Sequence, residues 1–249
     1  MEKHLSCIMD IGEQMLLSGA EIHRAEESVQ RMCKAYGAVR ADVFIITSSM
    51  VVTVTDGAGK TYTQTRRILS TSTNYEALHK LNDLCRKICD HKLSDEQIRE
   101  DLATACRVKV YPLWLELVSC SMIAGAFTLF FGGSLTEMLV SLAVGLIVRA
   151  IVCLSDKIIP NRIFSKFIST AIATALALCA VSLGWISNID KIVIGNIMSL
   201  IPGIGLTNAL RDLFTGDSIA GLFRSIEAAL AALAIAAGYF LVSVLEGLL

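Results

Sequence analysis

The sequence predicts an α-helical integral membrane protein of about five transmembrane helices with a small α+β soluble domain at its N-terminus. Three observations carry that reading. Residues 1–111 hold 15 of the 22 Lys and Arg and 15 of the 23 Asp and Glu, so the second half is nearly bare of charge. That half contains a series of uncharged runs close to the roughly 20 residues needed to cross a bilayer. Within the first half, the hydrophobic period changes from helical to alternating and back again. The averages, 54% hydrophobic and 18% charged, conceal this division. The predicted domains are therefore residues 1–111, soluble and cytoplasmic, and residues 112–249, transmembrane.

Apolar residues at Leu5, Ile8, Met15, Leu16, Ile22, Val29, Met32, Cys33 and Tyr36 keep helical spacing. Ser18-Gly19-Ala20-Glu21 has the form of a capping box that restarts the helix after a break, and Gly37 is a stop. Asp42–Thr47, Met50–Thr55 and Thr61–Ile68 are rich in Val, Ile and Thr and read as strands, with a turn at Asp56-Gly57-Ala58-Gly59. Thr73-Asn74-Tyr75-Glu76 and Ser94-Asp95-Glu96-Gln97 are capping-box patterns that open two further helices. Met1–Ala20 carries Glu2, Lys3, Asp10 and Glu13, so no unbroken apolar stretch of a signal peptide is expected there.

The predicted spans are residues 113–133, 135–155, 166–187, 191–210 and 226–247. Lys157, Arg162 and Lys166 follow the second, and Arg211 and Arg224 lie between the fourth and fifth. The loop after the first span has no Lys or Arg. By the positive-inside rule, the N-terminal domain faces the cytoplasm and the C-terminus lies outside, in the cell (inner) membrane. Ala171, Ala175 and Cys179 in the third span, and Ala228, Ala232, Ala236 and Tyr239 in the fifth, are candidate helix-contact faces.

Candidate functional residues gather in few places. Ile201-Pro202-Gly203-Ile204-Gly205 cannot continue an ordinary helix, and interrupted helices at membrane depth serve transporters as substrate sites. Asn208, Arg211, Asp212, Asp217, Arg224 and Glu227 follow it. Charges close to a membrane are costly unless paired or hydrated. Arg224 and Glu227 have the spacing of a helical pair. Arg149 lies inside the second span, where it either snorkels or recognises a carboxylate. Glu21, Arg24 and Glu26 cluster in the soluble half. Cys85-x3-Cys89-x-His91 lacks a second ligand pair, so core packing accounts for it and no metal is expected. Five cysteines in a cytoplasmic domain argue against a disulfide framework. The sequence contains no Walker A, Gly-x-Ser-x-Gly or His-Glu-x-x-His motif, so no cofactor is called for. No basic tract suggests nucleic acid.

Gly12-Glu13-Gln14-Met15-Leu16-Leu17-Ser18-Gly19-Ala20-Glu21-Ile22-His23-Arg24-Ala25-Glu26-Glu27 resembles the opening motif of the threonine/serine exporter family. Ile201-Pro202-Gly203 through Asn208-Ala209-Leu210-Arg211-Asp212, then Gly216-Asp217 and Gly221-Leu222-Phe223-Arg224, resembles its fourth-span signature. The resemblance implies an exporter whose full-length members carry twice this number of spans in two halves. It points to the larger subunit of the split form, associated with succinate export, whose second half comes from a small membrane subunit. Fused members export threonine and serine. The resemblance also implies that Glu21, Arg24, Glu26, Pro202, Gly203, Asn208, Arg211, Asp212, Asp217 and Arg224 matter, without giving their roles.

The expected function is thus a subunit of a secondary exporter for a small amino acid or a dicarboxylate, not an enzyme. In this reading the backbone at Pro202, Gly203 and Gly205 holds a carboxylate with Asn208, and Arg211 and Asp212 sit at the cytoplasmic mouth. Two alternatives remain. The soluble domain could be a membrane-tethered enzyme, with Ser48 or Ser49 near His23, or the chain could be a scaffold whose partner forms the path.

Overall fold

The computed structural model describes residues 2–69, 72–107, 111–158, 161–186 and 188–247, and the side chains of 155–158 are outside that description. The chain divides into two compact units. One is Met1–Lys109 together with Thr207–Arg224, and the other is Val110–Leu206 together with Ser225–Leu249.

The first unit opens with α1 (Glu2–Leu17) and α2 (Ile22–Ala35). Between them the chain turns sharply. Gly19 has φ +90°, and its amide and that of Ala20 bond back to Leu16 and Met15 at 3.0 Å each. This is a Schellman ending, which glycine adopts without strain. The Ser18–Glu21 segment is therefore a helix stop: Glu21 is the N-cap of α2 but makes no side-chain cap. β1 (Ala38–Ile46), β2 (Ser49–Asp56) and β3 (Thr61–Arg67) form an antiparallel meander in the order β1-β2-β3. α3 (Tyr75–His91) and α4 (Asp95–Ala105) complete the domain. Asn74, not Thr73, caps α3 by accepting from Ala77 N at 3.0 Å. Ser94 and Gln97 form the predicted reciprocal box on α4. Leu5, Ile8, Met15, Ile22, Met32, Met50, Leu81, Ile88 and Ile98 make one core under the helices.

The second unit contains α5 (Leu113–Phe130), α6 (Leu135–Ile158), α7 (Arg162–Ser182) and α8 (Ile189–Ile197). α9 (Gly203–Thr215) and α10 (Ser218–Gly247) begin and end in different units. Among the described residues, four helices are long and apolar enough to cross a membrane: α5, α6, α7 and α10. They coincide with the first, second, third and fifth predicted spans, although the third was drawn to Ser187, which lies outside the described residues.

The fourth predicted span, 191–210, is not one helix. The chain leaves helix after Ile197 and resumes it at Gly203. The interruption falls at Met198–Pro202, a turn earlier than expected, and Gly203 and Gly205 lie in the first turn of α9. The reason is proline's asymmetry: it lacks the N–H of a helix interior but suits the residue that begins a helix. Pro202 O accepts from Leu206 N at 2.9 Å, so the proline starts α9 instead of breaking it.

The contact faces of the spans also differ from those expected. Ser169, Ala173, Ala177 and Ala180 are buried on α7, whereas Ala175 and Cys179 are exposed. Hydroxyls decide the face: Thr170 and Thr174 are buried and bond back to the carbonyls of Lys166 and Thr170. On α10 the buried stripe is Ala228, Ala231, Ile235 and Gly238, and Ala232 and Ala236 are exposed. A Cβ at Gly238 would collide with the Phe167 carbonyl and lie 3.1 Å from Ala171 N, so only glycine permits that approach.

Candidate functional site: a charged joint

The two sequence motifs, far apart in the chain, meet within the first unit. α9 and the start of α10 form a helical hairpin. Gly216, at φ +99°, ends α9, and Asp217 turns the chain by bonding its amide to Asp212 O at 2.9 Å. The two helices touch at Gly221, where a Cβ would lie 2.6 Å from Leu213 Cγ and 2.9 Å from Ala209 O. Two of the signature glycines, Gly216 and Gly221, are thus explained by one backbone turn and one close approach.

Charge then ties the hairpin to the α1–α2 elbow. Asp212 is 1% exposed. Arg224 Nη1 donates to Asp212 Oδ2 at 2.8 Å across the hairpin, and Arg224 Nη2 donates to Ala20 O at 3.4 Å. The Ile22 amide also pulls the Asp212 carboxyl downward. Ile22 N is one of the orphan donors of the first turn of α2, which Glu21 leaves uncapped. Asp212 therefore sets a negative charge near the N-terminus of α2. Arg211 pairs with Glu21 beside it. Burial pushes the Asp212 carboxyl above the usual carboxylate range, against the pull of Arg224, and the charges of Asp217 and Glu21 push the same way.

Glu26 and Asp217 extend the cluster. Glu26 Oε1 accepts from Ile45 N at 2.8 Å, which fastens α2 to β1. Burial raises the Glu26 carboxyl against that hydrogen bond, and nearby Asp217 adds to the rise. Asp217 Oδ2 is buried without a hydrogen-bond partner among the described residues. Arg24, on the same helix, is exposed and stands outside the joint.

Other predicted residues fall elsewhere. Glu227 is exposed, and Arg224 pairs with Asp212 instead of with it. Arg149 pairs with Glu116 across α5 and α6, so its charge is matched within the second unit. Pro202 and Asn208 are half-buried, while Gly203 and Gly205 are exposed. Ser48 is exposed in the β1–β2 turn, Ser49 Oγ approaches Arg66 O at 3.5 Å, and no hydrogen bond joins either to His23 among the described residues.

The second unit has polar contacts that composition did not reveal. Thr128 Oγ1 donates to Ser141 Oγ at 2.7 Å, and Asn196 Nδ2 donates to the same oxygen at 3.0 Å. All three are buried, at the crossing of α5, α6 and α8. Glu137 is 5% exposed. It accepts from Ser134 N at 2.6 Å and from Asn188 N at 3.3 Å, capping α6 and tying the start of α8 to it. The Ser134-x-x-Glu137 spacing was a readable signal for that cap.

A family model described as "Putative threonine/serine exporter" matches residues 6–245. The chain belongs to the threonine/serine exporter family. A similar protein is the "Probable succinate transporter subunit YjjP" of Klebsiella aerogenes, 24% identical over 235 residues that make up 94% of this chain and 90% of the relative. No solved structure matches. The family match, with four apolar helices, makes this a membrane protein of a transport family, and that family is one of transporters, not enzymes. The joint is where this exporter-family chain brings together the residues of both its motifs.

Proposed function

We propose that this chain is the larger subunit of a secondary exporter that moves a small carboxylate metabolite out of the cytoplasm, and that the charged joint couples its soluble domain to the helices lining the path. One observation carries the reading: Glu21 and Ala20 of the first motif meet Arg211, Asp212 and Arg224 of the second. The Asp212–Arg224 pair is buried and fixes the hairpin. The Glu21–Arg211 pair is more open, with Arg211 54% exposed, and can exchange partners at low cost. It is the part of the joint suited to gating.

The joint bears on topology. Residues 207–224 belong to the same compact unit as the N-terminal domain, which supports their lying on its side of the membrane. After α5, α6 and α7 the chain is on the opposite side. It must cross again before Thr207, which makes α8, the break and the first turn of α9 a fourth, interrupted pass. The segment Ile189–Leu206 is long enough, at about 27 Å even if wholly helical. With α10 this reading has five passes, and the placement of Lys and Arg supports a cytoplasmic N-terminal domain with an extracytoplasmic C-terminus in the inner membrane. A tag at the C-terminus is expected to report an extracytoplasmic location; a cytoplasmic one overturns the fourth pass.

Interrupted passes present helix-end amides to anions. The start of α9, with Pro202, Gly203 and Gly205 preceding Asn208, is the proposed carboxylate site, and Asp217 and Glu227 add acidic groups on the cytoplasmic side. The family description names threonine and serine, and the relative's name gives succinate. All three carry a carboxylate. That relative is named as a subunit, which supports a small membrane partner supplying the rest of the path and leaves a scaffold role as the second reading. The deciding experiment measures amino acids and dicarboxylates in the medium of cells with the wild-type chain, with Arg211→Ala, and without the chain, each with its neighbouring small membrane gene product. Arg211→Ala is expected to lower efflux at unchanged membrane abundance. Equal efflux in all three removes the export reading, and a partner that exports alone favours the scaffold.

A further inference from the structure

The soluble unit contains a second polar feature that the joint does not use. A cleft of about 340 Å³ runs between the outer faces of α2 and α3. That lies at the lower end of ordinary ligand sites, roughly 300–1,000 Å³. Helical spacing builds it. Arg24, Ser28 and Arg31 lie on one face of α2, and Asn82, Arg86 and Cys89 on one face of α3. Beneath them is Cys85, whose thiol donates to Met15 Sδ at 3.7 Å, so the floor is the domain core and the walls are polar.

The cleft offers its cations to an anion. Three guanidiniums line it, with Glu27 and Asp90. Two of them are already in exposed pairs, Arg31 with Glu27 at 3.0 Å and Arg86 with Asp83, and such pairs exchange partners at low cost. Arg24 has no ion-pair partner among the described residues, although each exposed guanidinium can hold a carboxylate or phosphate bidentately. Arg31 and Arg86 line the same cleft as Cys85 and Cys89. Ser28 and Asn82 add neutral donors between them.

We propose that the α2–α3 cleft binds a small dianion, a dicarboxylate or a phosphate, with Arg24 and Arg86 as its cationic fork. Such a site would let the soluble domain sense or gather an anion on its own surface. The inference rests on the cleft alone and stands whether or not the chain exports. In so open a setting the affinity is modest, on the order of millimolar, and weakens with salt.

Cys89 gives a local readout because it lines the cleft and is half-buried. The experiment follows alkylation of each cysteine by mass spectrometry, in the full chain in lipid nanodiscs, at constant ionic strength. Succinate and inorganic phosphate are separate arms. Ligand at about twice its Kd leaves about one third of the sites free, so Cys89 modification is expected to slow about threefold. Cys106, outside the cleft, should not change, and buried Cys33 and Cys85 should stay unreactive as a check on folding. Slowing by succinate alone identifies a carboxylate site; slowing by phosphate alone identifies a phosphate site. In Arg24→Gln with Arg86→Gln, the ratio of rates with and without ligand should return to one. A Cys89 rate that ignores both anions, or protection that survives the double substitution, overturns the proposal.

Discussion

The chain solves the problem of joining helices in two opposite ways. In the first unit, Asp212 and Arg224 close the α9–α10 hairpin, and Arg211 to Glu21 and Arg224 to Ala20 O hold it to the α1–α2 elbow. In the second unit, α5, α6 and α8 meet through small residues and neutral hydroxyls. A Cβ at Gly145 would lie 2.8 Å from Ala124 Cβ, and one at Gly195 would lie 2.6 Å from Ala124 O. Lipid supplies no hydrophobic drive between helices, so close backbone approach and neutral hydrogen bonds do the work there. The contrast is between a contact that cannot slide and one whose outer pair can break and re-form. A transporter needs both, a rigid frame and an element with two arrangements.

The largest expected effect breaks the rigid side. Gly195→Leu would drive a side chain into Thr128 and the backbone of α5, where nothing can yield. The expected cost is roughly 3 kcal/mol or more. Membrane abundance of the full chain should fall severalfold. If abundance and thermal unfolding are unchanged, the α5–α8 approach is not the frame.

The buried half of the joint comes next. Asp212→Ala strands Arg224, and Arg224→Ala strands a carboxylate that is 1% exposed. Each should cost about 3 kcal/mol, because an uncompensated buried charge remains. The double variant should lose clearly less than the sum, by roughly 1–3 kcal/mol of coupling. Thermal unfolding of the four proteins in one detergent measures it, and simple additivity would mean that the pair is not energetically linked. Asp212 is therefore a poor test of gating, since its loss removes the joint itself; exposed Arg211 is the better one.

Much of this was legible in the sequence, and the exceptions have physical causes. The α+β domain and its strands follow from hydrophobic period, and the long spans from runs without charge. The residues of the joint were legible as motifs, but their contacts were not. Periodicity offered Glu227 as the partner of Arg224, because pattern reasoning sees neighbours along one helix and not residues across a hairpin. Arg211 pairing with Glu21 joins residues 190 positions apart in the chain, a relation no local rule carries. The contact face of α7 differs because alanine spacing alone ignores hydroxyls such as those of Thr170 and Thr174, which satisfy themselves within the helix and can be buried, while on α10 Ala228 and Tyr239 pack as expected and Ala232 and Ala236 do not. The break before α9 fell early because proline is as much a helix starter as a helix breaker.

The smallest effect sharpens the comparison by titration. Glu26 lies beside the joint, with its carboxyl raised by burial and by Asp217 from an ordinary value of 4.5. A carboxyl raised on folding makes the folded state bind its proton more tightly than the unfolded chain does. Its contribution to stability is therefore complete below pH 4.5 and is lost as pH rises through the folded value. Glu26→Gln keeps an oxygen that can accept from Ile45 N and removes the charge facing Asp217. At pH 7 the variant should unfold at a slightly higher temperature than the wild type, and at pH 4 the difference should vanish. The Thr128–Ser141–Asn196 contacts include no carboxyl among the described residues, so Ser141→Ala should shift the unfolding temperature equally at both pH values. If Glu26→Gln lowers the unfolding temperature at pH 7, the Ile45 hydrogen bond to a charged acceptor outweighs burial, and Glu26 is a fastening of α2 to β1 instead of a strained neighbour of the joint.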